Sequence, residues 1–326
     1  MPVSIPVIDI ESVVIGKPHT DVVRAIRDAC DNVGFLQVVG HRIDPNLLNR
    51  VYDVKDELVA LPLEDKQQLV CPTGHPFRGW RYNTSDAGFT ISERFQACNF
   101  DDHEAAAAAG IGSRYLDYFH PNVWPELPTF QPLVRQWFGA TRQLGAILMS
   151  LFAEALDLLP DYFSPMLVQD VSCFAMNVYS GQLVSESEVD PFVLLPAHGD
   201  SGTLTILHQR GEYEGLQVQT RTGDWVTVPI MNEAFVINVG DLMTRWTNGL
   251  WASTKHRVVA PLVAGQGRTS LTTFYLPSVD TVIAPLPGLG EPSYSPVTPY
   301  EWEEQYLARS FRKVDGSYVR QAVAAY

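Results

Sequence analysis

The sequence predicts a mainly β protein with α-helices: a double-stranded β-helix (jelly-roll) core flanked by N-terminal helices and a C-terminal helix. Three observations carry this. Eight short β-rich runs lie between Val171 and Ser278, separated by turn residues. The first half instead repeats its apolar residues at helical spacing. A last helical pattern follows a Pro-rich stretch after Leu286. With 326 residues and 46% hydrophobic content, the chain can bury a sizeable core. No internal repeat or linker composition interrupts it. It reads as a single compact unit, 1–326, with a mainly helical region over 1–165, the jelly-roll core over 166–285 and a C-terminal extension over 286–326.

Along the chain, IPVIDI near the start is strand-like. DVVRAIRDACDNVGF follows with Val22, Val23, Ile26, Ala29 and Cys30 at helical spacing, and Gly34 stops it before the strand FLQVVGH. DPNLLNRVYDVKDELVALPLEDKQQL reads as one helical stretch, with Asp44 as N-cap and Pro45 at the first helical position. FQPLVRQWFGATRQLGAILMSLFAEALDLL is a long amphipathic helix suited to packing across a sheet. The eight β-rich runs are CFAMNVYS, FVLLPAHGD, TLTILHQ, GLQVQT, WVTVPI, AFVINVGD, TKHRVVAP and TSLTTFYLPS. Arg221 to Asp224 and Asn248-Gly249 supply hairpin turn chemistry. The acidic SESEVDPF, Ser185 to Phe192, reads as an exposed loop, and TPYEWEEQYLARSF as the last helix.

A net charge of −14 without a Lys/Arg stripe argues against a nucleic-acid partner. There is no apolar run of transmembrane length and no signal-like N-terminus, so no membrane partner and a cytoplasmic location are expected. Cys30, Cys71, Cys98 and Cys173 form no C-x-x-C pair and read as core thiols. A small-molecule substrate is the expected partner; the oligomeric state is left unassigned.

The chemistry concentrates in LLPAHGDSGTLTIL and STKHRVVAP. Residues i and i+2 of a strand share a face, so His198 and Asp200 can converge on one ion, with Gly199 letting the backbone bend between them. His256, from a later strand, completes two imidazoles and one carboxylate. That set, with the opposite face open, suits non-haem Fe(II) that activates dioxygen. His41 and His208 are the rival third ligands. A second His-x-Asp, His19 and Asp21, has no β context and reads as surface. Arg268 and Ser270 share one strand face and offer a planar fork plus a hydroxyl. They suit the distal carboxylate of a keto diacid whose other end chelates the metal, with Tyr179 able to add a hydroxyl.

With these residues in place, the chain resembles the isopenicillin N synthase-like family of Fe(II)/2-oxoglutarate-dependent oxygenases. The resemblance covers nearly the whole chain: IPVIDI, DACDNVGFLQVVGHRID, Asn177-x-Tyr179, PAHGDSGTLTIL, FVINVGDLMTRWTNGLWASTKHRVV and Arg268-x-Ser270. It implies a jelly-roll barrel, iron at His198, Asp200 and His256, and 2-oxoglutarate held by Arg268 and Ser270 with help from Tyr179 and Asn177. It implies oxidation of an unactivated C–H of a small metabolite (hydroxylation, desaturation or cyclisation), with release of succinate and CO2. Two departures stand out. Ser180-Gly181 replaces the two prolines that often follow the tyrosine, and Ala175 stands where relatives commonly carry an arginine that helps bind substrate or co-substrate. A different polar contact is expected there.

HPFRGWRYN, His75 to Asn83, is the substrate-side candidate, read as a loop over the barrel mouth that brings Arg78, Trp80, Arg81 and Tyr82. Arg78 or Arg81 would bind a substrate carboxylate; Phe174, Trp246 and Phe274 would wall the pocket. Two alternatives accompany this reading. One is an oxidase of the same fold and triad that does not use 2-oxoglutarate, as in isopenicillin N synthase itself or the aminocyclopropane carboxylate oxidases. The other is a non-catalytic jelly-roll binding protein, with zinc at the same ligands.

Overall fold

The computed structural model describes residues 4–84, 90–188, 190–314 and 317–320. The chain opens with β1 (Val7–Asp9), a short α1 (Glu11–Val14) and α2 (Thr20–Asn32), which buries Ile26, Ala29 and Cys30 as the spacing predicts. β2 (Phe35–Val39) runs parallel to β1. In α3 (Pro45–Ala60) the Asp44 carboxylate accepts the Asn46 N–H at 2.8 Å, satisfying an otherwise orphan donor. The predicted single stretch breaks there: Leu61 precedes Pro62 and is pushed to an extended ψ of 144°, so α4 (Leu63–Gln67) is a separate helix.

β3 (Gly79–Thr84) and β4 (Thr90–Cys98) form an antiparallel pair. The segment read as a loop over the barrel mouth is therefore half strand. After α5 (His103–Ala108) comes α6 (Phe130–Ala155), which buries a stripe including Leu133, Trp137, Leu144, Leu148 and Phe152. The eight β-rich runs become β5 (Cys173–Tyr179), β6 (Val193–His198), β7 (Leu204–Gly211), β8 (Leu216–Gln219), β9 (Trp225–Thr227), β10 (Phe235–Val239), β11 (His256–Val259) and β12 (Arg268–Tyr275). α7 (Asp241–Trp246) lies between β10 and β11. Asn248-Gly249 makes no hairpin; both residues take positive φ, 51° and 84°, and end α7, with the Asn248 amide donating to the Leu289 and Glu291 carbonyls. α8 (Pro299–Ser310) starts in a capping box between Thr298 and Glu301 and leads into the hairpin of β13 (Phe311–Val314) and β14 (Ser317–Arg320). Among the described residues, no helix is long and apolar enough to cross a membrane.

Two sheets make the core: an eight-stranded one in the order β1-β2-β10-β7-β12-β5-β4-β3 and a four-stranded one in the order β6-β11-β8-β9. This is the expected double-stranded β-helix with helices outside. β1 to β4 extend the larger sheet at both edges. A hydroxyl pair, Thr141 to Thr273 at 2.7 Å, shows which face of that sheet meets α6. Alternation then turns Arg268, Ser270, Thr272 and Phe274 toward the barrel interior. The register extends this face across strands: Ser270 opposes Asn177, which opposes Arg94; Thr272 opposes Ala175, which opposes Gln96; Phe274 opposes Cys173, which opposes Cys98. Cys98 and Cys173 are disulfide-bonded, correcting the reading of all four cysteines as core thiols; Cys30 and Cys71 are buried and free.

Candidate active site

His198 ends β6 and His256 begins β11, and the two are paired partners in the small sheet. Their rings lie 4.3 Å apart, centroid to centroid. Asp200 follows two residues after His198, with Oδ1 at 3.9 Å from His198 Nε2 and 3.7 Å from His256 Nε2. One ligand atom from each residue falls within 4.8 Å of the others. Atoms bound at about 2 Å to a common ion are spaced about 3–4 Å from one another, so the set fits a metal.

The surroundings orient every ligand atom. His198 Nδ1 donates to the Pro196 carbonyl at 2.8 Å and His256 Nδ1 to that of Thr254 at 3.3 Å. A carbonyl only accepts, so both rings carry their proton on Nδ1 and keep the Nε2 lone pair for a metal. Asp200 Oδ2 accepts from Thr205 Oγ1 at 2.6 Å and from Asn238 Nδ2 at 2.9 Å, which aims Oδ1 at the imidazoles. Burial alone would raise the Asp200 carboxyl, but His256, His198 and these two hydrogen bonds outweigh it and hold it below the ordinary value.

Backbone packing is tight on this side. A Cβ on Gly199 would sit 2.4 Å from Ser253 Oγ. One on Gly240 would sit 2.3 Å from the Gly202 carbonyl oxygen and 3.0 Å from that of Asp200. The Gly240→Ala variant must therefore push back the segment that carries Asp200. Overpacking of this kind costs about 1–3 kcal/mol; we expect a lower denaturation midpoint together with weaker iron retention, checked by urea unfolding and metal analysis.

The rival histidines are occupied elsewhere. His208 Nδ1 pairs with the Tyr52 hydroxyl at 2.9 Å and Nε2 with the Asn232 carbonyl, and burial lowers its pKa to about 4. His41 pairs with the Glu233 carbonyl and the Ile43 N–H. His19 stands at the start of α2 and pairs with Glu154 at 3.1 Å, away from the triad.

On the large sheet, the four residues of the expected co-substrate clamp form two cross-strand pairs, Arg268 with Tyr179 and Ser270 with Asn177. The Asn177 amide donates to Ser270 Oγ at 3.3 Å, and the Arg268 guanidinium lies 5.7 Å from the Tyr179 ring. Arg268 is 2% exposed and donates to Gln209 Oε1 at 3.0 Å, yet its Nε has no partner. A buried guanidinium without a carboxylate partner is a place for an anion.

Beside His198 and Asp200 opens a cavity of about 110 Å³. Of the expected substrate-side residues, Arg78 and Phe274 line it. Phe174 and Trp246 do not: each is packed in the main core, against Phe138 and Phe163 respectively. Trp80 and Tyr82 oppose Phe95 and Glu93, so alternation puts them on the other sheet face, where Trp80 donates to Glu93. Arg81 opposes Arg94 and shares its face, but its guanidinium packs on the Phe77 ring and donates to the Pro76 carbonyl. The cavity also takes Arg94 and Gln96 from β4 and Trp302, Glu303 and Tyr306 from α8, which the sequence reading did not select. The alternation in SERFQAC was the available signal. Gln96 stands opposite Ala175, so on this face β4 supplies a polar side chain beside the short Ala175 of β5.

Comparison with known proteins agrees with this geometry. Residues 171–277 match the model of the 2OG-Fe(II) oxygenase superfamily, and residues 5–127 that of the non-haem dioxygenase in morphine synthesis N-terminal family. The chain is 30% identical over 303 residues to the 2-oxoglutarate-Fe(II) type oxidoreductase hxnY of Emericella nidulans, covering 87% of this chain and 83% of that one. It is 27% identical over 300 residues to a homoarginine-6-hydroxylase of Glycine max, covering 87% and 88%. The fold is shared with a full-length Neurospora crassa protein solved in complex with alpha-KG, at a TM-score of 0.78 and 24% identity, covering 93% of this chain and 96% of that one.

Proposed function

This chain belongs to the 2OG-Fe(II) oxygenase superfamily and is an Fe(II)- and 2-oxoglutarate-dependent dioxygenase; on that footing we propose how its residues divide the work. His198, Asp200 and His256 hold the iron. Arg268 and Ser270 hold the distal carboxylate of 2-oxoglutarate, with Tyr179 and Asn177 beside them. A small-molecule substrate enters the cavity next to His198. Bound together, iron and 2-oxoglutarate supply the power to oxidise a C–H with dioxygen, leaving succinate and CO2.

The protein's own part is placement. The Nδ1 hydrogen bonds of the two histidines fix their rings before metal arrives. Thr205 and Asn238 fix the carboxylate, and the clamp sets the co-substrate's angle of approach. Which C–H lies nearest the metal is left to the cavity wall, and that wall therefore selects the product.

The observation that carries this reading is the convergence of three ligand atoms, two from neighbouring positions and one from His256 far along the chain, within 4.8 Å of one another. The alternative without 2-oxoglutarate would leave the buried Arg268 guanidinium with no anion to hold. Anaerobic addition of Fe(II) and 2-oxoglutarate should produce a visible charge-transfer band. Under oxygen, a metabolite panel should contain compounds that stimulate succinate release in step with their own oxidation. A protein that binds iron but gives neither band nor succinate would defeat the assignment.

A further inference from the structure

The cavity wall carries two arginines, Arg78 and Arg94, and two carboxylates, Asp200 and Glu303; once Asp200 is committed to a metal, only one of the arginines keeps a carboxylate partner. Arg78 is tied to its own loop: Nε donates to the His120 carbonyl at 3.3 Å and Nη1 to that of Phe77 at 2.9 Å. Its charge faces Glu303, whose carboxyl burial holds above the ordinary value although Arg78 and the Tyr118 hydrogen bond favour its ionised form. Arg94 has no such arrangement. Its Nε is buried with no hydrogen-bond partner, no ion pair to it occurs among the described residues, and its one ring contact is Phe274 at 5.9 Å. Burial holds its pKa below the ordinary arginine value, against help from Tyr179, Tyr306 and Asp200. An arginine still stays charged under those conditions.

Formal charges of the loaded site sharpen the point. A divalent metal, the Asp200 carboxylate, dianionic 2-oxoglutarate and Arg268 sum to zero, and Arg78 with Glu303 sum to zero. Arg94 is left over. It projects into the interior from β4, opposite Asn177, and its electrostatic neighbours reach from Asp200 to Tyr306 of α8. It thus stands between the metal side of the cavity and the α8 side.

The geometry points to Arg94 as the anchor for a carboxylate on the prime substrate, so that this enzyme takes small monocarboxylic acids. The assignment rests on the iron and 2-oxoglutarate reading above. A planar guanidinium matches a carboxylate in two parallel hydrogen bonds. A single negative charge neutralises the wall, whereas a dianion would overfill it. Apolar parts of the acid would lie against Phe274 and Trp302, which line the same cavity.

The test uses the full chain with Fe(II) and 2-oxoglutarate, without oxygen, and two matched pairs of probes: phenylacetate with phenylacetamide, and hexanoate with hexanamide. Binding is read from the change in the visible band and, separately, from tryptophan fluorescence, since Trp302 lines the cavity. At least one acid should bind about tenfold or more tightly than its amide. Arg94→Gln should erase the preference and Arg94→Lys restore part of it. The affinity for 2-oxoglutarate should stay within about twofold, which also reports that the variants are folded. Equal binding of acid and amide, no binding of either acid at millimolar concentration, or a preference that survives Arg94→Gln would each overturn the assignment. So would a loss of 2-oxoglutarate affinity with the acid preference intact, which would move Arg94 into the co-substrate clamp. If the wild-type protein gives no band, the iron and 2-oxoglutarate reading fails, and the fluorescence comparison still decides the role of Arg94.

Discussion

Asp200→Asn should strip the protein of iron and of turnover together. The change is nearly isosteric, so the loss comes from chemistry at one atom. Thr205 and Asn238 both donate to Oδ2, at 2.6 and 2.9 Å. An asparagine keeps both bonds only by placing its carbonyl oxygen there. Its NH2 then occupies the Oδ1 side, toward His198 and His256, presenting hydrogens where a metal needs a lone pair. Turning the amide over lets the Thr205 hydroxyl accept but sets the Asn238 NH2 against another NH2, at about 1–3 kcal/mol for the buried donor left unsatisfied. Disturbing outer partners of a metal ligand already costs about 10–100-fold in affinity, so iron binding should fall by more than about a hundredfold. Turnover should fall by about a thousandfold or more, about 4 kcal/mol of barrier. Metal analysis after gel filtration and an anaerobic iron titration check it; a variant that retains iron as tightly as the wild type would remove Asp200 from the ligand set.

Arg268→Met should leave iron binding intact and abolish useful affinity for 2-oxoglutarate. Breaking a buried charge pair costs about 3–5 kcal/mol because the remaining ion is stranded. That is a rise of about a hundredfold to several thousandfold in the dissociation constant. The variant also changes selectivity. Wild-type protein should strongly prefer 2-oxoglutarate over 2-oxopentanoate, which lacks the distal carboxylate, whereas the variant should bind the two alike. Titration of the visible band with each keto acid reads both effects. A preference that survives the substitution would place the clamp elsewhere.

The residues proposed as metal ligands and as co-substrate clamp stand out in the sequence because they lie within continuous β-rich runs. Arg268-x-Ser270 needs only strand alternation to share a face; Asp200 lies two residues past the last residue of β6 and reaches His198 from there, and His256 comes from β11, five strands on. The substrate side resisted for a different reason. HPFRGWRYN mixes turn formers with aromatics and looks like a loop; it becomes a strand through tertiary pairing, since β4 offers it an edge. Once it is a strand, alternation carries Trp80 and Tyr82 away from the cavity, which local composition does not reveal. Arg94 was missed for the converse reason. In SERFQAC it resembles any surface arginine until the register sets it opposite Asn177. The Cys98–Cys173 bond joins residues 75 positions apart whose opposition exists only in the assembled sheet. The break between α3 and α4 is legible in Leu61-Pro62, because the residue before a proline is disfavoured in a helix even where the apolar pattern continues.

His198 and His256 belong to the four-stranded sheet, while Thr205, Asn238 and the arginine clamp belong to the eight-stranded one. A metal held by the two histidines and by an aspartate braced from the other side would thus be a rivet between the sheets, and a keto acid held by Arg268 would be a second one. Loading should couple to folding by mass action. At a free concentration about a hundred times its dissociation constant, each ligand adds about 2.7 kcal/mol. The melting temperature should climb with iron and again with 2-oxoglutarate, and Arg268→Met should lose only the second step. Chelators would then act on the barrel's cohesion as well as on its chemistry.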